Sequence, residues 1–202
     1  MSIKKISKLQ PERFEFNDDN LKISEQIISK YPEGKQQSAV MSMLYLAQNQ
    51  NQNWIPLAAM KYIAKLLNMP YIKVYEVATF YSMYNLSPVG KYFYQVCTTT
   101  PCMLRGAYKL VEACKEKISK NENEISEDGN CSWVEVECLG ACVNAPMIQI
   151  NENYYEDLSK EKLIKIIDET KNGKQPKPGS YKGRFNSAPE TERTTLNNLK
   201  NA

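Results

Sequence analysis

Tyr92-Phe93-Tyr94-Gln95-Val96-Cys97-Thr98-Thr99-Thr100-Pro101-Cys102 runs from aromatic and β-branched residues into a threonine run, a proline and a second cysteine. Its first half has the composition of a strand that ends at Cys97. Its second half opens a helix, with Thr100 a candidate N-cap and Pro101 a candidate first helical residue, where a missing N–H is harmless. Leu104, Ala107, Val111, Cys114 and Ile118 then fall on one apolar stripe, so a single helix is expected from residue 100 to 118. Two thiols therefore bracket a strand-to-helix junction.

Working outward toward the C-terminus, residues 120–130 are polar and read as a loop, with Cys131 at its end. Trp133-Val134-Glu135-Val136-Glu137-Cys138 alternates strictly, which predicts a half-buried strand with Val134, Val136 and Cys138 on its inner face. A second cysteine pair follows in Cys138-Leu139-Gly140-Ala141-Cys142. Residues 147–150, a turn at Asn151-Glu152-Asn153, and Tyr154-Tyr155 read as a hairpin. Ser159 caps a last helix with Leu163, Ile166 and Ile167 inward. Strand, helix, strand, hairpin, helix is the order of a thioredoxin-like α/β domain with a four-stranded mixed sheet. A right-handed crossover makes its first two strands parallel.

Working outward toward the N-terminus, helices are expected from about residue 17 to 84. Leu21, Ile23, Ile27 and Ile28 mark the first, ended by Tyr31-Pro32-Glu33-Gly34. Val40, Met41, Met43, Leu44 and Ala47 mark the second, before an Asn/Gln stretch breaks the pattern. Pro56 and Pro70 each sit where a first helical turn begins. Val74, Val77, Ala78 and Tyr81 make the inner face of the last helix and leave Tyr75, Phe80 and Tyr84 on other faces. The turn Leu67-Asn68-Met69-Pro70 admits a helix-turn-helix, but the following helix shows Glu76 among aromatics instead of a basic reading face. A small helical bundle with an aromatic face open to a partner is the better reading. The fold class is thus α+β, an N-terminal helical bundle followed by the thioredoxin-like domain.

Composition removes several functions. Net charge is +3 over 202 residues, with both signs interleaved, so neither nucleic acid nor an anionic membrane is expected as a partner. No apolar run is long enough for a bilayer, and the N-terminal residues, with Lys4, Lys5, Lys8 and Arg13, do not form a secretory signal. Six cysteines in such a chain read as ligands or core residues rather than disulfides. The absence of histidine excludes His-based triads, H-E-x-x-H zinc sites and Rieske ligation. The eight glycines form neither a dinucleotide fingerprint nor a P-loop.

Four thiolates from two loops at one end of a sheet can serve a 2Fe-2S cluster or a structural zinc, since each takes tetrahedral sulfur. Neither pair has the C-x-x-C spacing of a redox dithiol, so dithiol exchange is not expected. Zinc knuckles tolerate these spacings. A domain that already has a core has little need of a metal staple, and Leu139, Ala141 and Val143 suit a shielded redox centre. Cys102 lies in the first turn of its helix, where dipole and free N–H groups favour thiolate. Cys114 and Cys131 have no partner at ligand spacing and read as structural.

These cysteines, with Tyr75-Glu76-Val77-Ala78-Thr79-Phe80-Tyr81 upstream, closely resemble the family of thioredoxin-like 2Fe-2S ferredoxin subunits of respiratory NADH:quinone oxidoreductase (complex I). The resemblance extends from about Phe14 to the C-terminus and includes Gln175-Pro176-Lys177-Pro178-Gly179 and Gly183-Arg184-Phe185. It implies one 2Fe-2S cluster on Cys97, Cys102, Cys138 and Cys142, no catalytic residue, and single-electron exchange with the FMN of an NADH-binding flavoprotein subunit. A neighbouring iron-sulfur subunit is a further implied partner, in the peripheral arm of a membrane-bound complex on its cytoplasmic or matrix side. Related subunits serve NAD-linked hydrogenases and formate dehydrogenases. The expected organisation is an arm at 1–16, a helical domain at 17–87, the ferredoxin domain at 88–171 and an extended tail at 172–202. That tail, rich in Pro, Gly and polar residues, is expected to order only along a partner.

Overall fold

The computed structural model describes residues 6–189, 191 and 195 and divides into two compact units, Met1–Val89 and Gly90–Ala202. The remaining residues of the expected tail lie outside the described residues.

The first unit holds α1 (Asp18–Ile28), α2 (Val40–Gln50), α3 (Leu57–Leu66) and α4 (Tyr71–Phe80). Asn17 caps α1 through its side chain on the Asn20 N–H. Pro56 and Pro70 stand at N-cap rather than at the first helical position, one residue earlier than expected. Met43, Leu44, Met60, Ile63 and Val74 are fully buried and form the core of the unit. α1 contributes less than its pattern predicts: Leu21 and Ile23 are exposed, and only Ile27 and Ile28 pack on that core. The Asn/Gln stretch does not stop α2 where expected, because its amides are used. Gln48 binds Met83 O and the Asn85 N–H, while Gln50 ties α2 to Glu15, Asn17 and Asn20. Tyr84, expected on an outer face, is buried beyond the end of α4 and donates its hydroxyl to Met41 O at 2.9 Å.

The second unit is built on a sheet of order β2-β1-β3-β4-β5, formed by β1 (Tyr92–Cys97), β2 (Cys131–Val136), β3 (Ile148–Ile150), β4 (Asn153–Glu156) and β5 (Gly179–Ser180). β1 and β2 are parallel, and β3 runs antiparallel to both β1 and β4. β5 is a fifth strand beyond the four expected. It joins β4 in parallel, and the tail as far as Asn186 hydrogen-bonds back to its own domain, where order only along a partner was expected.

The helix expected over residues 100–118 is two helices, α5 (Thr100–Leu104) and α6 (Ala107–Lys117). Gly106 breaks it by taking φ +96, a left-handed conformation that glycine adopts without a Cβ clash. Leu104 is accordingly 75% exposed, and the buried face of α6 is Ala107, Leu110, Val111, Ala113 and Cys114. The inner face of β2 is also the opposite of the one expected. Cys131 and Trp133 are fully buried with Tyr92, Tyr94 and Val96, while Val134 and Val136 are half-buried. Trp133 is the largest side chain buried on this face, and its indole N–H also finds a partner there, Ser119 O at 2.8 Å. Cys131 is thus the first residue of β2, not a loop residue. α7 (Lys160–Lys171), capped by the Ser159 side chain, completes the core with Leu163, Ile166 and Ile167.

Gly90 donates its N–H to Ser132 Oγ at 2.9 Å, and a Cβ there would meet the Cys131 carbonyl carbon at 2.4 Å. We expect Gly90→Ala to destabilise the second unit by about 2–3 kcal/mol, in the manner of an overpacked core. Loss of midpoint in denaturant unfolding is the check.

Candidate metal centre

Parallel strands end on the same side of a sheet, and β1 and β2 are paired over six residues, with Cys97 opposite Val136. The segments that follow them consequently emerge together. Cys97 is the last residue of β1, Cys102 lies in α5, Cys138 follows β2, and Cys142 opens a 3-10 turn, Cys142–Asn144. The four cysteines singled out by their spacing meet here, whereas Cys114 and Cys131 lie together in the main core.

The site has a dry half and a wet half. Cys97 and Cys102 are each 1% exposed and pack with Ala107, Ala145 and Met147, flanked by Leu139, Ala141 and Tyr154. Cys138 and Cys142 are exposed, with their sulfurs 3.4 Å apart. Two thiolates on one tetrahedral metal with bonds of ~2.3 Å lie ~3.8 Å apart, so this pair is already near ligand spacing. Among the described residues no three acidic or cysteine side chains stand close enough to share a single ion, whereas a two-iron cluster asks only two thiolates of each metal.

Gly140, at φ +85, turns its N–H back onto Cys138 Sγ at 3.4 Å. Cys97 Sγ lies 3.4 Å from Thr99 Oγ1, and the Tyr154 hydroxyl donates to Leu139 O at 2.7 Å, pinning the loop between the second pair. The Gly140 N–H chiefly, then hydrogen bonds from Cys142 and Thr99, lower the Cys138 pKa. Cys142 has its pKa raised, chiefly by its hydrogen bond with Cys138.

Cys102 behaves differently from the expectation of a helix-start thiolate. Thr99, not Thr100, is the N-cap, α5 has only 5 residues, and burial pushes the thiol up to about 12, reinforced by its hydrogen bond with Cys97. Desolvation of the anion outweighs the dipole of so short a helix. The features that sequence reasoning missed are the Met147 backbone, which hydrogen-bonds Cys102, and Tyr154. Only the hairpin pattern points near them.

A sheet of this topology, with two thiol pairs where β1 and β2 end, defines a thioredoxin-like domain. Residues 24–171 match the family model described as thioredoxin-like [2Fe-2S] ferredoxin. Two curated relatives are both named as the E subunit of NADH-quinone oxidoreductase. The chain is 53% identical to that of Rickettsia bellii over 159 residues, covering 79% of this chain and 95% of the relative. It is 49% identical to that of Rickettsia prowazekii over 156 residues, covering 77% and 88%. A crystal structure of an NAD+-reducing [NiFe]-hydrogenase superposes with a TM-score of 0.57 at 15% identity, over 66% of this chain and 22% of the hydrogenase chain, and shows the fold alone. The chain belongs to the thioredoxin-like [2Fe-2S] ferredoxin family, whose cofactor is one 2Fe-2S cluster.

In the metal-free chain, alkylation should follow these microenvironments, because only thiolate reacts. Of the four thiols at the site, Cys138 is exposed with a lowered pKa and should react first at pH 7.5, while Cys102, buried and raised to about 12, should react last, and Cys114 in the main core should stay unmodified throughout. Time-resolved mass spectrometry of iodoacetamide-treated apo-protein reads the order.

Proposed function

We propose that the chain is the electron-transfer subunit of an NADH-quinone oxidoreductase, the respiratory complex I, with Cys97, Cys102, Cys138 and Cys142 holding its 2Fe-2S cluster. The convergence of these four thiols and no others at one end of the sheet carries the ligand assignment. The assembly is supported by relatives of that name, one of which the chain covers over 95% of its length. Its identity to those relatives favours this reading over a hydrogenase or formate dehydrogenase subunit.

The cluster, when bound, supplies a one-electron centre suited to exchange with the FMN of a flavoprotein subunit that binds NADH. The chain's own residues set its surroundings. Ala107, Ala145 and Met147 keep water from Cys97 and Cys102, and the Gly140 N–H offers a hydrogen bond to the Cys138 sulfur. The wet half, with Cys138 and Cys142, faces outward, where a partner can approach. A neighbouring iron-sulfur subunit of the peripheral arm is the second partner, and no helix among the described residues is long and apolar enough to cross a membrane.

Replacing any of Cys97, Cys102, Cys138 or Cys142 by Ser should lose most of the iron and acid-labile sulfide, whereas Cys114→Ser and Cys131→Ser should keep about two irons per chain. Equal iron loss in either of the last two would overturn the assignment. The purified holo-chain should not oxidise NADH, because hydride transfer needs a two-electron acceptor and the sequence carries no dinucleotide fingerprint. Adding the cognate flavoprotein should restore NADH-dependent bleaching, and turnover by the flavin-free chain alone would sink this reading.

A further inference from the structure

The family match ends at residue 171, yet the chain beyond it runs back to the turn that carries Cys142. Ser180, in β5, donates its hydroxyl to Asp157 Oδ2 at 2.6 Å and accepts the N–H groups of Lys182 and Arg184, so one carboxylate organises the whole turn. Arg184 Nε lies 3.7 Å from the same Asp157 oxygen, with side chains 8% and 1% exposed. The other end of the guanidinium donates to Val143 O at 3.4 Å, and Asn144 donates from Nδ2 to Asn186 O at 2.8 Å and to Glu156 Oε2. Asn144 O in turn accepts the Asp157 N–H at 2.8 Å. Val143 and Asn144 are the residues immediately after Cys142, and both are gripped from the tail.

This network is polar where an apolar plug would be cheaper. Asn144 Oδ1, Asp157 Oδ1 and Arg184 Nε are buried and make no hydrogen bond, and a buried ion pair often loses to a hydrophobic replacement of the same volume. What the polar arrangement provides and an apolar one cannot is direction, since a guanidinium and an amide fix a backbone carbonyl and a turn in one orientation. We propose that residues 180–186 form a strap, with Asp157, Arg184 and Asn144 as positioning residues, that holds the Cys142 turn in place for the cluster. The inference rests on Cys142 being a ligand. It also gives the tail a role within its own domain, beyond the expectation that it orders only along a partner.

The test uses reconstituted full-length protein beside Arg184→Ala, Arg184→Lys and a chain ending at Pro178. Iron release to a chelator should accelerate at least fivefold in Arg184→Ala and in the shortened chain, with shifted g-values in the electron paramagnetic resonance spectrum of the reduced cluster. Arg184→Lys keeps the charge but not the fork and should fall between, and it carries the test should Arg184→Ala fail to fold. Asn17→Ala, which removes the cap of α1 in the first unit, should leave both readouts at wild type. If Arg184→Ala, Arg184→Lys and the shortened chain all fold and release iron at the wild-type rate with an unchanged spectrum, the strap has no positioning role. Retention of iron by Cys142→Ser would instead overturn the ligand assignment beneath it.

Discussion

The parallel pairing of β1 with β2 is the constraint on which the metal centre depends. It brings the loop after Cys97 and the loop after Val136 to one end of the sheet. The register is locked on the opposite side of the strands by Trp133, fully buried and hydrogen-bonded to Ser119 O. A slip of one residue would turn Trp133 outward, because side chains alternate with a period of two. Removing a buried indole costs about 3–5 kcal/mol in a typical core. At the start of the strands Gly90 adds a second lock, since the chain passes too close to Cys131 for any side chain.

Within the centre, burial and charge oppose each other. Four thiolates gathered without metal would repel, and the dry pair would also lose hydration, which favours the protonated form at Cys102. The raised pKa of Cys142 points the same way, chiefly through its hydrogen bond with Cys138. Loading a metal must displace those protons, which couples occupancy to pH. By itself the raised Cys102 pKa favours the folded apo-state below about pH 9, and this contribution is lost as the pH rises toward 12. The hydrogen bond from Gly140 opposes that trend at Cys138, on the side of the site that water reaches.

Much of this architecture is legible in residue spacing. The strand before Cys97, the hairpin around Asn151 and the Ser159 cap are local signals, and local signals survive folding. The four cysteines are legible for the same reason, since each pair lies within one loop. The departures share a different cause. Val134 and Val136 alternate as an inner face should, but periodicity cannot see which face of a strand meets the tryptophan-sized space between β1, α6 and α7. Leu104 continues the stripe of α6 in sequence, yet the left-handed Gly106 turns α5 away from it. Gln48 and Gln50 look like breakers because their partners, Asn17 and Asn85 among them, lie over thirty residues away. Cys102 looks primed as a thiolate because sequence shows a helix start but not its depth.

The tail departs furthest from its expected behaviour, and the reason bears on how the two halves of the centre are supported. Cys97 and Cys102 are held by apolar contacts, which hydropathy patterns reveal. Cys138 and Cys142 lie at the surface, so apolar burial is not available to fix them. Directional hydrogen bonds are the remaining means, and each is worth about 1 kcal/mol net. A single tether is too weak to order a turn against its backbone entropy of about 1–2 kcal/mol per residue. Several acting together suffice: Tyr154 on Leu139, Arg184 on Val143, and Asn144 with Glu156, Asp157 and Asn186. Such a set draws its donors from separated places in the chain and leaves no periodic trace. A stretch poor in apolar residues can therefore be ordered by the very groups that make it look disordered, provided that another part of the fold offers them buried partners such as Asp157.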